Sequence, residues 1–313
     1  MNEDGGFLPS LDYKDYAASD LAKESPKETT FEIKRLLKIF LIAFLLAVII
    51  KSFFIEANQI PSASMENTLL VGDFIIVNKV AYRFASPSNI PFTNIPIPSV
   101  TFFPICQPKR NDVIVFHFPG YQNEITPAQD ENFIKRIIGL PGDTVEIKKG
   151  IVFINHKIFP SPYKALTGKS IETFVMPDDR IFPPGENWNG DNYGPLIVPR
   201  KGMTIKISPE NIKEWETLID RELKRRAVST EGTVVTIDGA PVRSYTVKKN
   251  YYFVLGDNRE DSMDSRYWGF VPDNSIIGKA VMIYWSQRQL NSSKSFLDDF
   301  NSIRFKRIFS FIR

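Results

Sequence analysis

The hydrophobic positions of this chain form one long run and many short ones. Residues 39–50 are uninterruptedly apolar, whereas beyond residue 56 the apolar runs are short and are separated by Gly, Pro, Asn or Asp. Short runs rich in Val, Ile and Phe between turn residues are typical of strands. The pattern therefore predicts a mainly β, antiparallel fold, with strands over residues 74–77, 113–118, 144–147, 151–154, 233–237 and 251–255.

The long apolar run predicts a membrane anchor. Residues 39–50 alone would rise only about 18 Å as a helix, less than the roughly 30 Å hydrocarbon core of a bilayer. The wider range 34–55 is long enough, and its Lys38 and Lys51 lie near the ends, where lysine side chains reach the headgroups. A cleaved signal peptide is the alternative, but a long polar segment precedes the run and no Ala-x-Ala site follows it. We therefore expect an uncleaved transmembrane helix over 34–55.

The charge on either side of the anchor predicts its orientation. Basic residues precede the apolar run 39–50 at positions 23, 27, 34 and 35, whereas the first basic residue after Lys51 is Lys79. Because basic residues stay on the cytoplasmic side of a membrane, the N-terminus is expected in the cytoplasm and the chain beyond residue 56 outside it. Residues 1–33 are acidic and polar, so we expect a disordered cytoplasmic tail.

Turn residues and one helical pattern organise the rest of the chain. Leu-Pro-Gly-Asp at 140–143 predicts a type II turn, and Lys-Lys-Gly at 148–150 predicts a hairpin. A helix is predicted after a Ser208 cap, with Pro209 in its first turn. One face of this helix carries Ile212, Trp215, Ile219 and Leu223.

The helix lies in residues 159–245, a stretch with loop-like parts rich in Pro and Gly. We interpret this stretch as an inserted α+β subdomain that separates two parts of a β core, residues 56–158 and 246–290. Residues 86–108 contain six prolines among apolar residues and predict an irregular surface loop. The tail, residues 291–313, mixes aromatic and basic residues. It could lie on a membrane surface or pack on the β core, and we favour the core.

Composition and rare residues narrow the function. The 313 residues carry a formal net charge of +3, too small to indicate nucleic-acid binding. Cys106 is the only cysteine, which excludes an internal disulfide, and it is expected to be a buried small hydrophobe. The two histidines, His117 and His156, lie in a predicted strand and a predicted hairpin, and we interpret both as structural. We therefore expect neither a zinc site nor another cofactor.

Two serines after the anchor are candidate nucleophiles. Ser62 and Ser64 precede a predicted strand, and a polar turn is the alternative interpretation. Ser64 lacks Gly-x-Ser-x-Gly surroundings, and position 67 holds Asn where the β-lactamase pattern needs Lys. A serine hydroxyl needs a base to take its proton, and neither histidine adjoins a nucleophile motif. An uncharged lysine is the next candidate.

Lys135 fits that role because it stands in the run Phe-Ile-Lys-Arg-Ile-Ile at 133–138. A lysine of ordinary pKa, about 10.4, is useful as a base only where burial lowers that pKa by several units. The alternative is an edge-strand lysine that reaches into solvent. A third segment, residues 256–270, is dense in hydrogen-bonding side chains. It suits a network that orients a buried base, or a structural loop tied by Asp and Arg pairs.

The three segments together resemble the bacterial type I signal peptidase family. Pro-Ser-Ala-Ser-Met at 61–65, followed by Thr68 and Leu69, resembles its nucleophile motif, and residues 112–118 resemble its next strand. Lys135 and Arg136, with Gly-Leu-Pro-Gly-Asp at 139–143, resemble its lysine motif. The last motif is matched by Gly-Asp-Asn-Arg at 256–259 and by Asp-Ser-Arg at 264–266. Asn67 departs from the family pattern, where proline is common.

The resemblance implies an antiparallel β catalytic core of the signal-peptidase type and a Ser/Lys mechanism. Ser64 would attack the scissile carbonyl of a preprotein and form an acyl-enzyme. Lys135 would take the Ser64 proton and then activate the hydrolytic water. The Ser64 N–H and the Ser62 hydroxyl would hold the oxyanion.

The resemblance also implies a supporting set around the lysine. Ser262 matches the residue that hydrogen-bonds the lysine, and Asp264 and Arg266 would form a supporting salt bridge. Gly256 and Asp257 belong to the same motif and are expected to support the site. Shallow pockets for the small side chains one and three residues before the cut are expected near Ile60, Leu69, Phe133 and Ile134.

The implied protein is a single-pass enzyme of the bacterial cytoplasmic membrane that cuts secretory preproteins on the outer side. Its partners would be those preproteins and the lipid bilayer, with no nucleic acid and no metal. One rival is a Ser/Lys self-cleaving protease of the repressor class, but such proteins carry a DNA-binding domain instead of an anchor. The other is a membrane-anchored β module that only binds partners, and it predicts an exposed Lys135.

Overall fold

The computed structural model describes residues 26–87, 90, 93, 95, 97–122, 124–129, 131–160, 176–288 and 300–313. Helix α1 (Pro26–Phe53) comes first, and its part from Glu32 to Phe53 is long and apolar enough to cross a membrane. Most side chains of that part are exposed within the protein, so its apolar surface suits a hydrocarbon environment. The helix begins before residue 34, with proline at its favoured first position. Residues 1–25 of the tail predicted over 1–33 lie outside the described residues, and residues 26–33, predicted as disordered, are instead the first residues of α1.

Nineteen strands and two further helices follow in the described residues, and every strand pairing is antiparallel. The first ten strands are β1 (Ile55–Gln59), β2 (Asp73–Asn78), β3 (Arg83–Ala85), β4 (Thr101–Pro104), β5 (Val113–His117), β6 (Asn132–Gly139), β7 (Thr144–Lys148), β8 (Ile151–Ile154), β9 (Lys157–Ile158) and β10 (Tyr193–Ile197). The remaining elements are β11 (Thr204–Lys206), α2 (Ile212–Leu223), β12 (Val228–Glu231), β13 (Val234–Ile237), β14 (Ala240–Pro241), β15 (Ser244–Thr246), β16 (Tyr251–Leu255), α3 (Ser265–Trp268), β17 (Val271–Pro272), β18 (Ile276–Ser286) and β19 (Ser310–Phe311).

The largest sheet has the order β1-β2-β18-β5-β6-β16-β17, and β19 pairs with β18. Strand β6 lies in its interior, with Lys135 opposite Ile114 of β5 and Arg136 opposite Leu255 of β16. The strands predicted over 74–77, 113–118 and 251–255 all belong to this sheet, so the prediction of a mainly β, antiparallel fold is confirmed.

Strand β16 shows why its sequence is apolar on both faces. Tyr252 and Val254 pack in a cluster with Trp268, whereas Tyr251 and Phe253 pack in a second cluster on the opposite face. Because successive side chains of a strand point to opposite faces, a strand covered on both sides has no polar positions. Packing on both faces therefore holds β16 in place, and the loop that follows it starts from this fixed strand.

The segment predicted as an insertion packs against that second face. Its helix α2 buries Ile212, Trp215 and Ile219 in the cluster that also contains Tyr251 and Phe253. Strand β10 of this segment pairs with β7, which pairs with β8, and β8 pairs with β9. The hairpin predicted at 148–150 joins β7 and β8, and Gly142 has the positive φ of 93° that a type II turn requires. Residues 161–175 lie outside the described range.

Three local predictions are wrong. Helix α2 begins at Ile212 after an Asn211 cap, because the Asn211 side chain accepts the Ser208 N–H and closes a separate turn before the helix. The segment predicted as an irregular loop over 86–108 contains β4, which pairs with β3, although β4 is fully exposed as predicted. Cys106 is exposed, because it follows β4 at the surface.

The prediction that the tail packs on the β core is confirmed for residues 300–313. Strand β19 pairs with β18, and Gln287 forms an isolated bridge with Ile303. The Ile312 side chain packs against an apolar cluster that includes Met65 and Ile75. Residues 291–299 of the predicted tail lie outside the described residues.

Candidate active site

Ser64 lies in the serine loop, residues 60–72, which joins β1 to β2. The loop is closed at its base by the Ile60 N–H, which donates to the Asp73 carbonyl at 2.8 Å. The Leu69 N–H donates to the Met65 carbonyl at 2.8 Å and makes one helical turn after Ser64. Met65 and Leu69 are fully buried, so apolar packing anchors the loop on either side of that turn.

Asn67 gives the serine loop a shape that proline would not allow. Its φ is 90°, in the left-handed region that Asn tolerates better than most residues. Proline is fixed near −65°, so it cannot occupy this conformation. The departure from the family pattern at position 67 is therefore coupled to the local backbone.

The Lys135 side chain, on β6, contacts the Ser64 side chain of the serine loop. Its Nζ lies 2.7 Å from Ser64 Oγ, and the lysine is only 4% exposed. The alternation of β6 puts Phe133 on the same face, with its ring centroid 5.6 Å from Nζ. The alternative of a lysine reaching into solvent is excluded by this burial.

The surroundings of Lys135 favour its uncharged form. Burial lowers the pKa of Lys135 from 10.5 to about 8, while the negative charges of Asp264 and Asp257 hold it from falling further. With a pKa of about 8, roughly a tenth of the amine is neutral at pH 7. A neutral amine bonded to a hydroxyl can accept the proton of that hydroxyl.

A buried ion pair connects the lysine strand to the loop after β16. Arg136, the neighbour of Lys135, donates Nε and Nη2 to the two carboxylate oxygens of Asp257, each at 2.8 Å. The Thr68 hydroxyl donates to the same carboxylate and accepts from Arg136 Nη2 at 2.9 Å. Asp257 thus ties the serine loop to β6. The sequence placed Asp257 in the supporting set but gave its partner Arg136 no separate role.

The predicted ion pair of Asp264 and Arg266 is present and buried. Arg266 donates Nε and Nη2 to the two Asp264 oxygens at 2.8 and 2.9 Å. Asp264 also accepts the Gly256 N–H at 3.1 Å and caps helix α3. Burial by itself raises the pKa of Asp264, but the charge and hydrogen bonds of Arg266 outweigh it and hold the pKa below its ordinary value. The pair therefore stays charged and fixes the backbone at Gly256.

Asn258 contacts the peptide of Ser64 directly, and sequence analysis gave it no individual role. Its N–H donates to the Ser64 carbonyl at 3.1 Å, and its side-chain amide donates to the Ala63 carbonyl at 3.2 Å. Asn258 lies in the Gly-Asp-Asn-Arg run, so the motif was visible. The two bonds were not, because they join residues almost two hundred positions apart.

The prediction that Ser262 hydrogen-bonds Lys135 is not met in this structure. Within the described part of the chain the Ser262 hydroxyl is buried without a hydrogen-bond partner, and the Lys135 amine donates to Ser64 instead. Ser262 packs over Gly256, where an added Cβ would lie 2.5 Å from Ser262 Cβ and 2.6 Å from the Ser64 carbonyl. Glycine at position 256 therefore permits the close approach of this loop to Ser64.

Ser62 lies beside Ser64 and is exposed, whereas Ser64 is buried. Its hydroxyl is 3.4 Å from Ser64 Oγ, at the outer limit of a hydrogen bond. Among the described residues no acceptor is bonded to the Ser64 N–H. Two donors thus lie beside the Ser64 hydroxyl, and their role in holding an oxyanion stays a prediction.

The four residues predicted near substrate pockets fall into two groups. Ile60, Leu69 and Ile134 pack in one apolar cluster, and the first two are fully buried. Phe133 packs on the opposite face of β6, with its ring stacked 4.5 Å from that of Phe118. These residues therefore surround β6 on both faces, and their contact with a substrate stays a prediction.

The arrangement of Ser64 and Lys135 is compatible with a hydrolase of the serine class. An activated hydroxyl, a neighbouring base and donors for an oxyanion are the parts that acyl transfer requires. Lysine stands where histidine stands in the commoner triads.

Comparison with known proteins identifies the family. The model of the family described as "Signal peptidase, peptidase S26" matches residues 33–285. The chain is 34% identical over 257 residues to signal peptidase I of Aquifex aeolicus, covering 81% of this chain and 84% of that one. It is 31% identical over 260 residues to signal peptidase I of Pseudomonas aeruginosa, covering 80% and 71%. A solved signal peptidase I from Enterococcus faecalis is 27% identical over 56% of this chain and 97% of that one, with a TM-score of 0.27. The chain belongs to the signal peptidase family, peptidase S26, and is a peptidase.

Proposed function

We propose that this protein is a membrane-anchored serine endopeptidase that removes signal peptides from secretory preproteins. Ser64 is its nucleophile and Lys135 its general base. One observation carries the proposal, namely the 2.7 Å contact between Ser64 Oγ and a buried lysine amine of lowered pKa. The membership in the signal peptidase family supports the reaction and the substrate class.

The contact defines the two steps of the reaction. The neutral Lys135 amine takes the Ser64 proton as Oγ attacks the scissile carbonyl, and it passes that proton to the departing amine. An acyl-enzyme on Ser64 remains. Lys135 then takes a proton from water, whose oxygen attacks the ester and releases the signal peptide, and Ser64 Oγ recovers its proton.

The surrounding groups prepare the site before the substrate arrives. The Ser64 N–H and the Ser62 hydroxyl are the proposed oxyanion donors, and loss of one such donor typically raises the barrier by about 2.7–4 kcal/mol. Asn258 and Asp257 hold the serine loop against β6 and the loop after β16. The Asp264–Arg266 pair holds the backbone at Gly256.

Helix α1 is the proposed anchor. Its part from Glu32 to Phe53 has the length and composition of a membrane span. The distribution of basic residues around it supports a cytoplasmic N-terminus and a catalytic part on the outer side. A signal sequence held in the same bilayer would present its cleavage site at that side.

Cleavage of a purified preprotein by the full chain in detergent micelles tests the proposal. We expect cleavage at the signal-peptide junction by the unmodified chain and none by Ser64→Ala or Lys135→Met. Ser244→Ala, which removes an exposed hydroxyl elsewhere, is the matched control and should cleave at the unmodified rate. Equal cleavage by Ser64→Ala and the unmodified chain would refute the assignment.

A further inference from the structure

The segment 300–313 contacts the serine loop, although it follows the residues that the family model matches. It contains a short 3-10 turn over Phe305–Arg307 and strand β19, which pairs with Met282 and Ile283 of β18. From this segment, two arginine side chains reach the base of the serine loop. They are Arg304 and Arg307.

The arginines converge on Asp73, a carboxylate with 0% exposure at the start of β2. Arg307 donates Nη2 and Nε to it at 2.5 and 3.2 Å, and Arg304 donates Nη1 at 3.2 Å. The Ser286 hydroxyl and the Leu70 N–H complete its bonds, at 2.6 and 2.8 Å. A buried carboxylate is tolerated only where partners of this kind replace its water.

The same two side chains continue to the backbone of the serine loop. Arg307 Nη2 donates to the Thr68 carbonyl at 2.9 Å, and Arg304 Nη2 donates to the Val71 carbonyl at 2.6 Å. On its other side Thr68 is bound through its hydroxyl to Asp257. The turn that follows Ser64 is therefore held from two directions, by the loop after β16 and by the segment 300–313.

The polar part of this contact comes from the two arginines, beside the apolar packing of Ile312 on the cluster that includes Met65. Phe305, Phe309 and Phe311 are exposed, whereas the charged ends of Arg304 and Arg307 face the loop. The aromatic side chains of this segment thus point outward, and the guanidinium groups of Arg304 and Arg307 point toward the serine loop. A planar guanidinium can bind a carboxylate and a carbonyl at once, as Arg307 does here.

We propose that Arg304 and Arg307 are positioning residues that fix the serine loop so that Ser64 Oγ stays within bonding distance of Lys135. The proposal rests on the proposed Ser/Lys peptidase function. Neither arginine touches the reacting atoms, so their effect passes through Thr68, Val71 and Asp73. Loss of the arginine contacts frees the turn that follows the nucleophile, and a misplacement of about 1 Å can lower a rate by on the order of a hundredfold.

The test measures kcat and KM for preprotein cleavage by full-length variants at a temperature where circular dichroism shows each to be folded. R307Q should lower kcat at least about tenfold with KM changed less than about twofold, since the turn beside Ser64 moves but the binding surface remains. R307K should recover part of the rate, because an ammonium retains the charge but not the fork. K306Q removes an equal charge from an exposed neighbour and should match the unmodified chain.

A folded R307Q with unmodified kcat overturns the proposal, even if its melting temperature falls, because the segment would then add stability alone. If R307Q does not fold, R304K and R307K decide the matter. Unmodified kcat in both overturns the proposal, and a reduced kcat with unchanged KM supports it. Failure of the proposed Ser/Lys peptidase function would give a different result from failure of this inference. In that case the unmodified chain does not cleave, or S64A cleaves as fast as it does.

Discussion

Replacing Lys135 by methionine should make the protein more stable at pH 7 while it abolishes cleavage. Burial lowers the pKa of this lysine from 10.5 to about 8, so the folded state resists carrying the charge that the unfolded chain accepts freely. The difference of about 2.5 pKa units corresponds to roughly 3 kcal/mol of destabilisation below pH 8. Methionine has a similar length and no charge.

The sign of the pH dependence follows from proton binding. Below pH 8 both folded and unfolded chains hold the proton, and the penalty is complete. Between pH 8 and 10.5 the unfolded chain binds more protons at this site, so the stability of the unmodified protein rises with pH and the penalty disappears. Methionine also removes the bond to Ser64, which is worth about 1 kcal/mol. Lys135→Met should therefore be about 2 kcal/mol more stable at pH 7 and about 1 kcal/mol less stable near pH 10.5.

Urea unfolding of the full chain in detergent, followed by tryptophan fluorescence from pH 7 to 10.5, measures this crossing. Lys201→Met, which removes an exposed lysine, is the matched control and should show no such trend. A Lys135→Met protein that is no more stable at pH 7, or whose advantage persists at pH 10.5, would refute the reasoning. In that case the amine would not be desolvated in solution.

Three further predictions concern the same site. The kcat/KM for preprotein cleavage should rise about tenfold per pH unit up to about pH 8 and then level off, because only neutral Lys135 is a base and its pKa is about 8. A profile that is flat from pH 6 to 9 would contradict this. Gly256→Ala should lower kcat at least about tenfold in the same assay, because its Cβ would lie 2.6 Å from the Ser64 carbonyl and push the serine loop away from the loop after β16. An unchanged kcat would exclude that close approach. Asp257→Asn should lower the free energy of unfolding by about 3–5 kcal/mol in urea, because the buried Arg136 would lose the carboxylate that accepts its Nε and Nη2. A loss under about 1 kcal/mol would mean that water reaches this pair.

The strands could be predicted because their signals are local, whereas burial of Lys135 was one of two interpretations that its apolar run allowed. The run around Lys135 is apolar on both sides, and the structure buries that lysine inside the largest sheet. Strand β16 is apolar at every position, which matches its coverage on both faces. For the strands, a few neighbouring residues determine the outcome.

Contacts between distant segments could not be predicted in this way. The bond from Asn258 to the Ala63 carbonyl and the bonds from Arg307 to Asp73 join residues far apart in the chain. No periodicity marks them. The prediction of the helix cap was wrong for a different reason. Ser208 and Asn211 both suit a cap, and the choice between them depended on which side chain closed the preceding turn.

The resemblance supplied some residues that spacing alone would have left undecided, and it also set one expectation that the structure does not meet. It singled out Asp264 and Arg266, whose ion pair is present and buried. It also predicted a bond from Ser262 to Lys135, but the lysine donates to Ser64 and the Ser262 hydroxyl has no partner among the described residues. A motif fixes which residues meet, whereas the rotamer of a small hydroxyl depends on the acceptors around it.

The bond between Asn258 and the peptide of the nucleophile has a consequence for the newly made protein. A ribosome synthesises Ser64 long before it synthesises Asn258, and strand β16, which delivers Asn258, pairs directly with the strand of Lys135. A nascent chain that has emerged only as far as residue 245 thus contains Ser64 but neither Asn258 nor strand β16, which pairs with β6. If Ser64 is the nucleophile, as we propose, a chain whose translation stops before β16 should not cleave preproteins.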